Sequence, residues 1–336
     1  MGVCHMKIRK DIYKKYGLKS IDFDELQFQK EWKIELDNKG FRDIAIAILN
    51  EGKKRKFLAE ELSSEELAKI NDGETIVSAK DAEQFRKKVA MVGIHENNER
   101  LVDLRKKREA NLGIWTFTDA KYHEACGEWA GKEKLFLVRK SVADKLSTLA
   151  KNLLKFNIQL RFEDGFRPYG VQEGLFLRRI KMIKATNPEW SRNKIILEAK
   201  SKTAYTPRFA AHKAGAAVDV SMLDSTTGKP CNIGQGYPGG GEVVRLNTEF
   251  VTQHQWQNRK ILEYLAKDSG LFMYPYENWH LCYGDTTAAV VSSDRAPYIA
   301  KYGPVKNYDT DTGEILETYP PDKLDSIFPV IEEHVK

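Results

Sequence analysis

Two short segments of the chain bring together side chains that can hold a metal ion and activate water. They are His212-Lys213-Ala214-Gly215-Ala216-Ala217-Val218-Asp219 and Glu277-Asn278-Trp279-His280. Imidazole and carboxylate ligands must place their donor atoms within about 2 Å of one point, so the backbone has to gather them. Seven residues separate His212 from Asp219. That separation is about 10.5 Å of rise on a helix and more than twice that on a strand, so neither regular element lets both side chains reach one ion. The chain must turn between them, and Gly215 supplies the permissive backbone. Val218 and Val220 favour a strand that would project Asp219 inward from its start. His280 is the natural third ligand. Glu277, three residues earlier, can be aimed at the same cavity by one turn of backbone and stays free to act as a base.

Taken singly, these residues have duller readings. Asp219 could be a turn residue, Glu277 a solvated charge before a core Trp279, and Arg167 half of an ion pair with Asp164 or Glu163. Together they form a ligand set, a base and a cation in an order that one hydrolytic mechanism explains. The other five histidines, His5, His95, His123, His254 and His334, receive no role.

The elements that must position these groups can be read from periodicity. Val142, Leu146, Leu149 and Leu153 recur at helical spacing, and Asn157 ends that helix. Ile158-Gln159-Leu160-Arg161-Phe162 alternates as a half-buried strand, stopped by Asp164-Gly165-Phe166-Arg167-Pro168. Helices are expected from Val171 to about Lys184 and from about Glu249 to Lys267, the latter closed by Gly270. Residues 216–222 and 271–274 read as strands. The pattern predicts an α+β fold, a mixed or antiparallel sheet with helices on one face, plus an N-terminal helical extension. The expected organisation is a helical accessory region at 1–85, a main domain carrying the candidate site at 86–300 and a C-terminal extension at 301–336. Within the first region, Ser63 and Glu66 have capping-box spacing ahead of Leu67 and Ile70.

At this point a family resemblance becomes specific. His-x-x-Gly-x-Ala-x-Asp, followed about sixty residues later by Glu-x-Trp-His, resembles the zinc D-alanyl-D-alanine dipeptidases and carboxypeptidases. The matches are His212, Gly215, Ala217 and Asp219, then Glu277, Trp279 and His280. Asp164-Gly165-Phe166-Arg167-Pro168 is similar to that family's Asp-Gly-Tyr-Arg-Pro segment. The resemblance covers roughly residues 90–300. It implies one catalytic zinc per chain held by His212, Asp219 and His280, with Arg167 stabilising the transition state and a small peptide as substrate. Three protein ligands leave a position for water, whose pKa zinc lowers to about 7, and Glu277 would take its proton. Trp279 would form a wall of the pocket.

Two departures bear on the substrate. The dipeptidases carry a serine two positions before the first histidine ligand, and this chain has Ala210. They also carry Met-Gly-x-x-Phe-Asp, whose aspartate binds the substrate's free amino group. Here the segment is Ile233-Gly234-Gln235-Gly236-Tyr237-Pro238, and Glu242 beyond the following glycines is the candidate replacement carboxylate.

Composition limits the alternatives. The chain has 336 residues, 41% of them hydrophobic, enough for a substantial core. Lys and Arg number 54 against 48 Asp and Glu, with the signs interspersed, so the net +6 describes a solvated surface and argues against nucleic acid as a partner. The Lys53-Lys54-Arg55-Lys56 run reads as a solvated turn. Cys4, Cys126, Cys231 and Cys282 are scattered without a CxxC pair, so neither a disulfide scaffold nor a thiolate zinc site is indicated. The first thirty residues hold no continuous apolar stretch, which predicts neither a secretory signal nor a membrane span, and a cytoplasmic location is expected.

Overall fold

The computed structural model describes residues 39–60, 63, 65–66, 79–123 and 131–327. Most of 1–85 and the end of 301–336 lie outside these residues, including Leu67 and Ile70. The capping pair itself forms: Ser63 N–H donates to Glu66 Oε2 at 2.9 Å, and Glu66 N–H donates to Ser63 Oγ at 3.3 Å.

A five-stranded mixed sheet organises the fold. Its strands are β1 (Trp115–Phe117), β2 (Ile158–Asp164), β3 (Ala217–Asp224), β4 (Phe272–Met273) and β5 (His280–Cys282). The spatial order is β1-β2-β3-β5-β4, with β1 and β2 parallel and every other pair antiparallel. Helices α1 (Lys39–Gly52), α2 (Lys140–Leu154) and α5 (Gln253–Asp268) contribute to the main core. The expected mixed sheet with covering helices and an N-terminal helix is the observed architecture.

Alternation assigns the two sheet faces. Ile158, Leu160 and Phe162 of β2, Val218, Val220 and Met222 of β3, and Leu281 of β5 all enter the core. There they meet Val142, Leu146, Leu149 and Leu153 of α2, each fully buried. A strand's next residue points to the opposite face. Asp219 and His280, adjacent to core residues in their strands, therefore project together from the other side of the sheet.

Local chemistry sets the boundaries. Helix α2 ends at Leu154, and Asn157 takes φ +56° before β2 begins. Helix α5 starts at Gln253, later than the apolar pattern suggested, because Thr252 and Gln255 form a capping box that fixes the first turn. Gly270, at φ +73°, follows its end. Helices α3 (Tyr169–Thr186) and α4 (Arg192–Lys202) form a hairpin around a separate core that includes Phe176, Ile180 and Ile195. Among the described residues, no helix is long and apolar enough to cross a membrane. Cys231 and Cys282 are free thiols.

Candidate metal centre and active site

Sheet register places the first two donor groups. Asp219 on β3 is directly opposite His280 on the antiparallel β5, and Asp164 on β2 is opposite Asp219 from the other side. Three chemically active residues thus form a row across neighbouring strands. His212 comes from outside the sheet, on a short 3₁₀ turn, Ala211–Ala214. Gly215 closes that turn at φ +65°, ψ +22°, a left-handed conformation that completes the turn expected between His212 and Asp219. A Cβ at this position would lie 2.4 Å from Leu101 Cδ2.

The donor atoms form a nearly equilateral triangle. His212 Nε2 lies 3.2 Å from Asp219 Oδ1 and 3.2 Å from His280 Nδ1, and His280 Nδ1 lies 3.1 Å from Asp219 Oδ1. All three residues are buried. Ligand atoms at about 2.0–2.1 Å from a tetrahedral ion stand roughly 3.3 Å apart, so the triangle fits three corners of such a site. His212 Nδ1 lies 2.8 Å from the carbonyl oxygen of Gly165, to which it donates when Nε2 carries the lone pair. Outer hydrogen bonds of this kind commonly orient metal-binding imidazoles.

Electrostatics prepare the same atoms. Burial and the positive charge of Arg167 push the pKa of His212 down, which favours the neutral imidazole that can ligate. Burial opposes the charge on Asp219, but His212 and Arg167 hold its carboxyl well below the ordinary range. At His280 burial also opposes charge, yet its hydrogen bond to Asp219 and the charges of Asp219 and Glu277 pull its pKa up.

Arg167 engages two carboxylates. Its Nε donates to Asp164 Oδ2 at 2.9 Å and its Nη2 to Asp219 Oδ2 at 2.5 Å. Asp219 therefore offers Oδ1 to the triangle and Oδ2 to the guanidinium. The Asp164–Pro168 segment can now be read residue by residue. Asp164 holds Arg167, and the Gly165 carbonyl orients His212. A Cβ on Gly165 would lie 2.7 Å from the Leu135 carbonyl oxygen, so glycine permits the close approach of that chain. Phe166 is buried edge-on to Tyr308, and Pro168 precedes α3.

Glu277 sits on the turn before β5, with Oε2 3.7 Å from His280 Nδ1. Its side chain remains 39% exposed. Removal from bulk water and the nearby Asp219 charge raise its pKa, against the pull of His280 and Arg167. Trp279 enters the core and meets the Tyr237 ring edge-on, with centroids 5.9 Å apart.

Sequence reasoning missed several supporting groups. His123, given no role, is buried with Nδ1 3.8 Å from Asp164 Oδ1. Burial pushes its pKa down to about 4 despite Asp164. No local motif surrounds it, so only the fold shows its placement. Arg139 is fully buried and clamps the His212 turn. Its Nε donates to the Ala214 carbonyl at 2.8 Å, its backbone N–H donates to the Gly215 carbonyl at 2.7 Å, and its guanidinium makes a two-pronged contact with Glu96. Glu242, the candidate for amino-group recognition, has its carboxylate on Arg245 Nη1 at 3.0 and 3.3 Å.

A buried histidine–aspartate–histidine set gathered from two sheet strands and a 3₁₀ turn, beside a carboxylate on the ligand strand's entry turn, is the donor arrangement of a metallohydrolase. The chain belongs to the D-ala-D-ala dipeptidase family of metallopeptidases, whose match spans residues 119–299, more than half of its length. YodJ of Bacillus subtilis (strain 168), provisionally named a carboxypeptidase, is 26% identical over 216 residues, covering 64% of this chain and 71% of YodJ. The solved structure of the LdcB LD-carboxypeptidase aligns at 21% identity over 58% of this chain and 72% of its own, with a TM-score of 0.33.

Proposed function

We propose that this chain is a zinc-dependent peptidase that hydrolyses D-Ala-D-Ala or a related small cell-wall peptide. The observation that carries the reading is the buried triangle of His212, Asp219 and His280 with Glu277 beside it. Two imidazoles and one carboxylate are a donor set suited to zinc. When bound, zinc would supply Lewis acidity toward water and the peptide carbonyl.

The chain's own groups divide the remaining work. Glu277 takes the proton of the attacking water and returns it to the leaving amine, a role that its place 3.7 Å from His280 and its 39% exposed side chain allow. Arg167 keeps its charge and, through its Nη1 end, offers further N–H donors to the developing oxyanion; Nη1 makes no hydrogen bond to any described residue. Trp279 lies in the core and supports the Tyr237 ring edge-on.

A second reading, a carboxypeptidase acting on longer peptidoglycan peptides, is favoured by what stands at the two described positions considered for binding a free amino group. Pro238 supplies no carboxylate, and that of Glu242 is paired with Arg245. The provisional name of YodJ is consistent with this reading.

The test combines metal analysis with a screen of D-Ala-D-Ala, N-acylated D-Ala-D-Ala peptides and peptidoglycan fragments. Wild type and Glu277→Gln should each bind about one zinc, while the variant loses a factor on the order of 10² to 10⁴ in kcat. Wild-type turnover by Glu277→Gln would refute the assigned chemistry, and zinc binding unaltered by His212→Ala and His280→Ala would remove the metal site.

A further inference from the structure

We infer that Tyr308 and Tyr319, on a C-terminal hairpin that lies beyond the family match, are positioning residues for Arg167 and His212. This rests on the peptidase reading of the site and extends it to a part of the chain that carries none of the family's motifs.

The hairpin consists of β6 (Val305–Tyr308) and β7 (Ile315–Thr318), paired antiparallel. Asp309 closes its turn, with Oδ1 accepting from the N–H groups of Asp311 at 2.9 Å and Thr312 at 2.7 Å. Lys306, Asn307, Leu316 and Glu317 of the two strands are exposed. A two-stranded hairpin is marginal by itself, so its contacts with the body of the protein decide where it sits.

Those contacts lead to the segments that carry the site. Tyr308 meets the buried Phe166 edge-on, with ring centroids 5.5 Å apart. Phe166 immediately precedes Arg167, so the Tyr308 ring backs the segment from which the guanidinium reaches Asp164 and Asp219. Tyr319 follows β7 directly, and Lys213 Nζ lies 4.7 Å from its ring centroid and 5.0 Å from that of Tyr169. Lys213 immediately follows His212 and is 1% exposed, so the two rings fix one side of the 3₁₀ turn. Between the two tyrosines, the Gly313 carbonyl accepts from Leu101 N–H at 2.8 Å. Leu101 is the side chain that a Cβ on Gly215 would meet, and a Cβ on Gly313 would run into the Leu101 carbonyl. The hairpin thus reaches the site through the neighbours of Arg167, His212 and Gly215. The two motif segments are also joined to each other, since Arg167 N–H donates to the His212 carbonyl at 3.4 Å and His212 Nδ1 faces the Gly165 carbonyl at 2.8 Å. Groups that orient metal ligands from outside the coordination sphere strengthen metal binding, and small displacements of a positioned group slow turnover.

Both tyrosine contacts are made by rings, so phenylalanine should serve at either position and leucine should not. Tyr308→Leu, Tyr319→Leu and the two phenylalanine variants are made in the full chain. Ile195→Ala, in the separate core of α3 and α4, is the control for general destabilisation. Zinc affinity is measured by chelator competition under conditions where urea curves show each protein folded, and kcat and KM are measured at saturating zinc on D-Ala-D-Ala and its N-acylated peptide. Tyr319→Leu should weaken zinc binding on the order of 10-fold, the low end for an outer-sphere change. Tyr308→Leu should lower kcat on the order of 10-fold with KM little changed, because Arg167 is misplaced toward the oxyanion. Both phenylalanine variants should match wild type, and Ile195→Ala should keep wild-type zinc affinity and kcat despite its lower stability. Gly313→Ala, which leaves both rings in place but lifts the hairpin from Leu101, should also weaken zinc binding and decides the matter should a leucine variant not fold. Leucine variants that match wild type, or an Ile195→Ala protein that loses as much as they do, would overturn the inference alone. A wild-type chain that binds no zinc overturns the metal site together with it. Zinc binding without cleavage of either peptide overturns the peptidase reading and the part assigned to Tyr308, while zinc affinity still decides that of Tyr319.

Discussion

Replacing Gly215 by alanine tests the turn that gathers the ligands. The residue has φ +65°, and a left-handed conformation costs an L-residue roughly 1–2 kcal/mol. The added Cβ would also meet Leu101 Cδ2 at 2.4 Å. Leu101 is 2% exposed, so its side chain can retreat only by leaving its preferred rotamer, at about 0.5–1.5 kcal/mol. Gly215→Ala should therefore destabilise the metal-free protein by about 2–3 kcal/mol. Gly228 is a suitable control, with φ +69° and nothing within 4 Å of an added Cβ, so Gly228→Ala carries only the conformational cost. Urea unfolding of both variants, with zinc titration of each folded protein, makes the comparison. Gly215→Ala should be the less stable variant and should bind zinc more weakly, because the strained turn aims His212 Nε2. If the variants are equally stable and bind zinc equally, the claim that this turn is shaped by Leu101 and needed by the site is wrong.

Two further outcomes can be stated briefly. His123 has a folded-state pKa pushed by burial down to about 4, from an ordinary value of 6.5, so below pH 6.5 the unfolded chain takes up a proton that the fold refuses. Stability is thus lost as pH falls from about 6.5 toward 4, approaching about 3 kcal/mol, and His123→Gln should remove that part of the slope in metal-free unfolding curves. Identical slopes for the two proteins would show that His123 protonates freely in the fold. For the substrate, Glu242→Gln should leave the kcat/KM ratio of D-Ala-D-Ala to its N-acylated peptide unchanged, since Arg245 already engages the carboxylate. A strong dipeptide preference that collapses in this variant would instead assign the amino-group contact to Glu242.

What the sequence makes legible depends on how local the cause is. Helix α2 and strand β2 follow from repeating apolar spacing, and the need for a turn at Gly215 follows from the reach of two side chains seven residues apart. The directly opposed pair of Asp219 and His280 was only partly legible. Spacing identifies both as candidates, but their register is set by the whole sheet. His123 was not legible at all, because its neighbour Asp164 comes from a distant strand. The same holds for Arg139, whose role depends on meeting Glu96 on one side and the Ala214 carbonyl on the other. Glu242 shows the converse case. The glycine-rich loop offered a candidate carboxylate, and the fold adds Arg245, three residues away, as its partner.

The charges around the ligand triangle point the same way as its geometry. Asp164, Asp219 and Glu277 contribute three carboxylates, and Arg167 is the guanidinium in direct contact with two of them. Were both imidazoles neutral and all three carboxylates ionised, two negative charges would remain, and the raised pKa values of His280 and Glu277 in the metal-free protein answer that excess. Burying unpaired charge is expensive, and one divalent cation at the triangle balances this set. Arg167 could not do so alone. It would leave the excess in place, and its hold on Oδ2 keeps it to one side of Asp219. That hold has a consequence before any substrate arrives: by occupying Oδ2, Arg167 fixes Oδ1 as the oxygen turned toward His212 and His280. A neutral residue at position 167 would release the carboxylate to rotate, so loss of Arg167 should disturb ligand alignment as well as any stabilisation of the oxyanion.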